Sequence, residues 1–291
     1  MMNKRIKGIF RTKKGRSFGG NLVLFVTLTL FAAFFLFPVV FMFNSAFKPI
    51  YELMRFPPTF FVRDPTFEHF ASLGNLFNRT FVPFARYLFN SLLFLVVGTA
   101  GQILFASMAA YPLAKFEFFG EKFLNSLILL ALMFSPAVTA VHSFLILSSL
   151  GMIDTYWAVI LPSFASTIGL FLMRNFIQQI PNSLIEASQI DGASEYRTFW
   201  TVIMPNVKPA IITLFIMTFQ GMWGVTGGGL IFTESLKPLP AALGQIASGI
   251  SIARMGEMAV VSLLMFLIPV VVFIIMQSKV VETMTTSGMK E

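Results

Sequence analysis

Six windows of this chain, each 17 to 24 residues long, contain no Asp, Glu, Lys or Arg: Leu22–Phe43, Leu88–Tyr111, Leu124–Leu147, Tyr156–Met173, Pro209–Val225 and Met258–Met276. No other feature limits the fold as strongly. About 20 apolar residues in helical geometry cross a hydrocarbon core of roughly 30 Å. Composition agrees, with 56% hydrophobic and 12% charged residues against the roughly 25% charged of an ordinary globular domain. Backbone polar groups in lipid must be paired within the chain, so long, non-alternating windows select helices over an outer-membrane barrel. The expected fold is all-α: a bundle of six transmembrane helices over 22–280, preceded by a basic segment 1–21 and followed by a tail 281–291. Pro209–Val225 is the weakest of the six windows.

Charge sets the orientation. Lys4, Arg5, Lys7, Arg11, Lys13, Lys14 and Arg16 precede the first window with no acid among them. An even number of spans puts both termini on one side, and the basic bias of cytoplasmic loops makes that side the cytoplasm. The remaining loops divide the same way, with fourteen of the 21 basic residues inside and seven outside. The expected location is the cytoplasmic membrane, multi-pass, with both termini cytoplasmic. A signal peptide is disfavoured because the first apolar stretch is too long and lacks a small-x-small cleavage site. Basic residues beside a span ordinarily set orientation and touch anionic lipid, so no nucleic-acid partner is expected. The chain has no cysteine, which removes disulfides, thiol catalysis and Cys-based metal sites. No metal site is expected.

Between the windows, residues 44–86 form the longest polar piece, with Pro57-Pro58, Asp64-Pro65 and many aromatics. That composition belongs to an ordered loop packed on the outer mouth of the bundle. Residues 226–257 open with Gly227-Gly228-Gly229 and mix apolar with small residues, which suits an interfacial segment or a contact with an outside partner. Pro38, Pro136, Pro162 and Pro269 fall inside windows, where each removes a hydrogen bond and can kink or break its helix.

One stretch between two apolar windows is polar: Ser183–Pro205, SLIEASQIDGASEYRTFWTVIMP, holds Glu186, Asp191, Glu195 and Arg197. Pro181 and Asn182 break it from the preceding span, and Ser183 with Glu186 three residues on is a capping-box pattern. The spacing predicts a first helix ending near Asp191-Gly192, where glycine accepts the left-handed conformation that closes a helix. Ser194 then caps a second helix, in which Tyr196, Phe199, Trp200 and Ile203 share one apolar face, and Pro205 ends it. The result is a knob. Periodicity alone also allows an amphipathic helix lying on the membrane surface. Three acids with one arginine suit an anionic leaflet poorly and a protein socket better.

The same residues carry a resemblance. EASQIDGASEYRTFWTVIMP resembles the EAA loop of ABC importer permeases, with Glu186, Ala187, Ser188, Gly192 and Val202-Ile203-Met204-Pro205 at the family's spacing, and small departures at Ser188, Val202 and Met204. NSAFKPIYELMRFPPTF, LGMIDTYWAVILP and FLMRNFIQQIPNSLIEASQIDGAS are similar to the carbohydrate-uptake members, in particular the smaller maltose-type permease, over roughly 44–225. After Trp223 the likeness weakens: relatives have Trp-Asn-x-Phe, and this chain has Gly224, Val225, Thr226 and three glycines. The family implies a type I ABC importer permease fold, a homologous second permease subunit, and two ATPase subunits that each receive one knob. It also implies an extracytoplasmic solute-binding protein and a carbohydrate substrate, by preference an oligosaccharide. ATPase-coupling roles follow for Ser183, Leu184, Ile185, Glu186, Ala187, Ser188, Asp191, Gly192, Ala193, Ser194 and Pro205.

No G-x-x-x-x-G-K-[ST] occurs, so the chain lacks a phosphate-cradling loop. It is expected to be a transport subunit and not an enzyme, binding no cofactor itself, with ATP and Mg used by the partner ATPase. Glu186 is a candidate for an ion pair with an ATPase arginine, and equally for capping the helix that Ser183 begins. Gly192 would allow close approach as well as the turn that ties the knob to the fifth span. Transport would run by alternating access. Candidates along the substrate pathway are Gln220, Trp223, Asn90 and Gln102, which can hydrogen-bond a sugar or stack on it. Such residues more often bond neighbouring helices, and that is the favoured reading for Gln102 and His142, while Gln220 and Trp223 suit either role. The alternatives are a permease for a non-sugar solute and a secondary transporter, although the windows hold no acid to couple an ion.

Overall fold

The computed structural model describes residues 18–79, 82–248 and 254–287. The basic residues Lys4 to Arg16 and the end of the tail, 288–291, lie outside the described residues, as do 249–253 of the 226–257 loop. Every regular element among those described is helical. In chain order they are α1 Phe18–Phe47, α2 Glu68–Arg79, α3 Phe84–Lys115, α4 Glu121–Met133, α5 Pro136–Ser149, α6 Trp157–Phe164 and α7 Thr167–Gln178. Then follow α8 Asn182–Ile190, α9 Glu195–Asn206, α10 Lys208–Trp223, α11 Leu239–Ser248 and α12 Met255–Ser287. Single turns at Ile50–Leu53 and Glu234–Leu236 sit in the loops.

Among the described residues four helical segments are long and apolar enough to cross a membrane: Gly19–Phe47, Phe84–Lys115, Trp157–Gln178 and Met255–Gln277. The number reaches six when each of two bent pairs counts as one span. The window Leu124–Leu147 is one of these: α4 and α5 meet at 110°. Phe134 is extended there, with ψ 130°, and Ser135 precedes Pro136, which disfavours the helical region for Ser135 and removes a backbone donor. The other bent pair is α9 with α10, which turn through 77° at Val207, φ −98° and ψ 16°. The predicted tail 281–291 is helical as far as Ser287, because α12 runs on without a break from the sixth window.

The described chain forms two compact units, 18–70 with 254–263 and 71–248 with 264–287. In the first, α1 carries large apolar side chains exposed around its circumference, as a helix does when its solvent is hydrocarbon. Residues 44–70 fold back as an ordered loop. Phe60 stacks on Phe37 of α1 at 4.6 Å, and the Lys48 ammonium is buried, donates to the Thr59 carbonyl and lies 5.2 Å over the Phe41 ring. Glu52, also buried, accepts from the Arg63 amide at 2.9 Å. His69 bonds the Lys48 carbonyl at 3.0 Å and lies against Gly256, where an added Cβ would sit 2.1 Å from the ring.

In the second unit α3 is the central helix, packed against α6, α7, α10 and α11. Its buried residues, Tyr87, Asn90, Phe94, Gly98, Gln102, Ala106 and Ala110, recur every three or four positions and form a stripe. Small residues on that stripe let helices approach closely, as in membrane bundles. A Cβ on Gly98 would lie 2.8 Å from the Met222 sulfur of α10, and one on Gly101 would lie 2.0 Å from the Phe164 ring of α6. The fourth window is broken at Ala165–Ser166, and Ser166 caps α7 by accepting from the Gly169 amide at 3.0 Å.

The first turns of α3 are covered by the segment 226–248. Arg86 Nε donates to Ser235 O at 3.2 Å, Tyr87 Oη to Glu234 Oε1 at 2.9 Å, and Leu239 N to Ser91 Oγ at 2.7 Å. Gly227, Gly228 and Gly229 all have positive φ, 79°, 39° and 79°, which makes this chain reversal cheap only for glycine. Asp154 pins the far side, accepting from the Phe232 and Thr233 amides at 2.8 Å each. The Thr233 hydroxyl and these two amides hold its carboxyl below the ordinary 3.8. Burial pushes Glu234 up, yet the bonds from Lys237, at 2.5 Å, and from Tyr87 outweigh it and leave the carboxyl below its usual value.

Candidate coupling site

The polar stretch forms two helices joined by a glycine turn, as its local signals predict. α8 ends where Gly192 takes φ +77°. Ala193 N donates to Ser188 O and Gly192 N to Gln189 O, both at 2.9 Å, the paired bonds of a glycine-closed helix end. Nothing lies within 4 Å of a Cβ built on Gly192, so within this chain the glycine serves the turn and not a close approach. Ser194 caps α9 as expected, its hydroxyl accepting from Arg197 N at 3.4 Å.

Three local expectations fail for identifiable reasons. The Ser183–Glu186 capping box does not form: α8 starts at Asn182 with Pro181 as its cap and no side-chain cap bond. Ser183 is therefore already inside the helix, where its hydroxyl cannot reach the free amides. Pro205 does not end the second helix, which continues to Asn206 because the proline falls in the first turn of a new α segment, Met204–Asn206. The predicted apolar face is also split. Phe199–Ile203 is a π-type turn with Met204 N bonded to Phe199 O, so the 3.6-residue period does not carry through from Phe199 onward. Phe199 and Ile203 are buried, whereas Tyr196 is 70% and Trp200 40% exposed.

Buried residues fix the knob to the bundle. Ile185, Phe199 and Ile203 join one core with Ala106, Ala110 and Tyr111 of α3, Met173 and Ile177 of α7, and Ala210 and Leu214 of α10. At roughly 1.5 to 3 kcal/mol for each large side chain, the three knob anchors contribute at most about 5 to 9 kcal/mol. Polar bonds add orientation. Glu195 accepts from Tyr111 Oη and from Gln189 Nε2, both at 2.8 Å, so one carboxylate joins α3, α8 and α9. Ser188 Oγ pairs with Thr198 Oγ1 at 2.9 Å across the two knob helices. Lys115 Nζ donates to the Ile180 carbonyl and, at 2.9 Å, to Asn182 Oδ1 where the chain enters the knob.

The face turned away from the bundle is apolar and acidic. Leu184 is 44% and Ile190 86% exposed, and Glu186, Ala187, Asp191 and Pro205 are exposed with them. Glu186 makes no side-chain hydrogen bond among the described residues. A folded, exposed projection of this kind can dock, and among the described residues no cluster of His, Asp and Glu is placed to hold a metal.

The family described as the binding-protein-dependent transport system inner membrane component matches residues 102–285, which include the whole knob. The chain belongs to that family. Protein LplC of Bacillus subtilis is 34% identical to it over 83% of this chain and 79% of the relative. The galactooligosaccharides transport system permease protein GanQ of the same organism is 27% identical over 91% of this chain and 94% of its own length. A crystal structure of a bacterial ABC transporter involved in import of the acidic polysaccharide alginate aligns with a TM-score of 0.75 at 22% identity, covering 93% of this chain and 98% of the matched chain. The type I importer permease fold is thereby the fold of this inner membrane component, and the resemblance resting on Glu186, Gly192 and Pro205 stands.

The pathway candidates of this family member occupy four different settings. Asn90 is fully buried and spends its amide on the protein: Nδ2 donates to Ser235 O and Lys237 O, and Oδ1 accepts from Tyr156 Oη, each at 2.9 Å. Trp223 is buried and donates from Nε1 to Met265 O at 3.0 Å. Gln102 lies on the buried stripe of α3, and Gln220 on the exposed side of α10. Tyr111, Gln189 and Glu195 act together here without being foreseeable as a set. Their one trace in the sequence is a tyrosine and a lysine four residues apart where the second window ends.

Proposed function

We propose that this chain is the permease subunit of an ATP-driven importer that moves an oligosaccharide across the cytoplasmic membrane by alternating access. The observation that carries the reading is the knob, a folded projection with the EAA spacing, held by its own apolar anchors and turning Leu184, Glu186 and Ile190 outward. In this reading α8 and α9 seat in a cytoplasmic ATPase subunit, and both termini face the cytoplasm. A second, homologous permease completes the pore, two ATPase chains hydrolyse ATP with Mg, and a solute-binding protein delivers the sugar from outside. The carbohydrate class is supported by the galactooligosaccharide relative. Glu186, exposed and without a partner in the described chain, is available for a charge-assisted bond to an ATPase arginine, worth about 1.5 to 3 kcal/mol.

The test uses the absence of native cysteine. Ile190→Cys should crosslink to the ATPase subunit in the assembled complex and resist a membrane-impermeant thiol reagent from outside. Gly192→Pro, or Glu186→Ala combined with Ala187→Asp, should abolish assembly or coupling while the chain still inserts. Normal transport in those variants, or labelling of the Ile190→Cys thiol from outside the cell, refutes the docking assignment.

A further inference from the structure

The last turn of α3 holds both legs of the knob. Lys115 grips the entering leg at Ile180 and Asn182, and Tyr111, one helical turn earlier, donates to Glu195 on the returning leg. The partners are 65 to 84 residues away in sequence, so chain connection does not enforce these bonds. At the other end of the same unbroken helix, about 36 Å distant at 1.5 Å per residue, Tyr87 donates to Glu234 and Asn90 to the carbonyls of Ser235 and Lys237.

Apart from the apolar packing of Ile185, Phe199 and Ile203 on α3, α7 and α10, the knob connects to the bundle through its covalent junctions with α7 and α10, and in both places the chain leaves helical geometry: at Pro181, ψ 135°, and at Val207, ψ 16°. Such junctions act as pivots. A hydrogen bond with a defined direction on each leg removes that freedom, while Ile185, Phe199 and Ile203 keep the knob folded whether or not the bonds are made.

We propose that α3 is the strut of the transport cycle, with Tyr111 and Lys115 taking up displacement of the knob and Tyr87 and Asn90 moving the 232–237 segment in step. Knob, α3 and that segment then travel as one rigid body, and Tyr111, Glu195 and Tyr87 are positioning residues. The proposal rests on the reading of the knob as the ATPase contact.

Thr201→Cys on α9 and Phe232→Cys on the far segment, both exposed, provide a unique spin-label pair in a chain without other cysteines. The distance between them is measured in the full reconstituted complex, free and with ATP and Mg trapped by vanadate. The expected result is one unchanged narrow distribution in both states. Tyr111→Phe, and separately Tyr87→Phe, should shift or broaden it on trapping, in complexes that still assemble and hydrolyse ATP. Glu195→Gln alone, which keeps an acceptor for the Tyr111 hydroxyl, should leave the distribution unchanged on trapping. A shift on trapping in the unmodified protein, or unchanged distributions in both phenylalanine variants, overturns the strut. Docking is read independently by protection of the Ile190→Cys variant from thiol reagent. A reactive thiol at that position in the complex defeats the knob reading itself, and a protected one with a shifting distance defeats the strut alone.

Discussion

Asn90 offers a quantitative test because both its amide hydrogens and its amide oxygen have identified partners. Asn90→Ala deletes three hydrogen bonds, to Ser235 O, Lys237 O and Tyr156 Oη. Ser235 O keeps the Arg86 bond at 3.2 Å, so two groups lose a partner outright. With about 1 kcal/mol net for each of the three bonds and a further penalty for a buried group left unpaired, the loss should be roughly 3 to 5 kcal/mol. Tyr156→Phe deletes one bond and should cost roughly 1 to 2 kcal/mol. The double variant should fall short of the sum by about 1 kcal/mol, since the shared bond is lost only once. Equilibrium unfolding in mixed micelles, titrated with a denaturing detergent and followed by circular dichroism, supplies all three values. If Asn90→Ala costs no more than Tyr156→Phe, the reasoning from the bonds is wrong. An Asn90→Ala chain of undiminished stability with an altered choice of sugar would instead make Asn90 a substrate contact.

The remaining contacts set three further outcomes. Gly192→Ala meets open space but a left-handed backbone, so it should cost about 1 to 2 kcal/mol and weaken ATPase association in a pull-down less than Gly192→Pro does. Gly101→Ala would drive a methyl into the Phe164 ring and should destabilise by about 1 to 3 kcal/mol; adding Phe164→Leu should return part of the loss in the same unfolding assay. Asp154 has its folded-state value depressed by Thr233 and Phe232, so the stability it lends is present above the ordinary 3.8 and lost as pH falls through the lower folded value. Pepsin cleavage within 226–236 should therefore rise only in strong acid, and Asp154→Asn should raise cleavage at mildly acidic pH and flatten that dependence.

Much of the fold was legible from residue chemistry read locally. Helical spans follow from apolar length because lipid offers backbone groups no other partner, and the knob's turn and second cap follow from Gly192 and Ser194, whose signals act within a few residues. The capping box at Ser183 does not form because helix starts compete: Asn182 is already helical, and sequence alone does not rank one start against the next. The apolar face of α9 is split because a period of 3.6 residues does not hold through the π-type turn Phe199–Ile203, where Trp200 falls off the side that buries Phe199 and Ile203; Tyr196, in the turn before it, is exposed as well.

The sequence by itself determined a membrane-embedded, all-α chain bearing one polar knob, since hydropathy and helix-end chemistry are properties of short neighbouring stretches. Only the tertiary structure decided that Tyr111 meets Glu195 across 84 positions and that Asn90 is consumed by a distant loop. Those outcomes depend on where backbones come to rest against one another. The stripe of small residues on α3 sets how closely α6 and α10 pack, and that spacing fixes which side chains come within bonding distance.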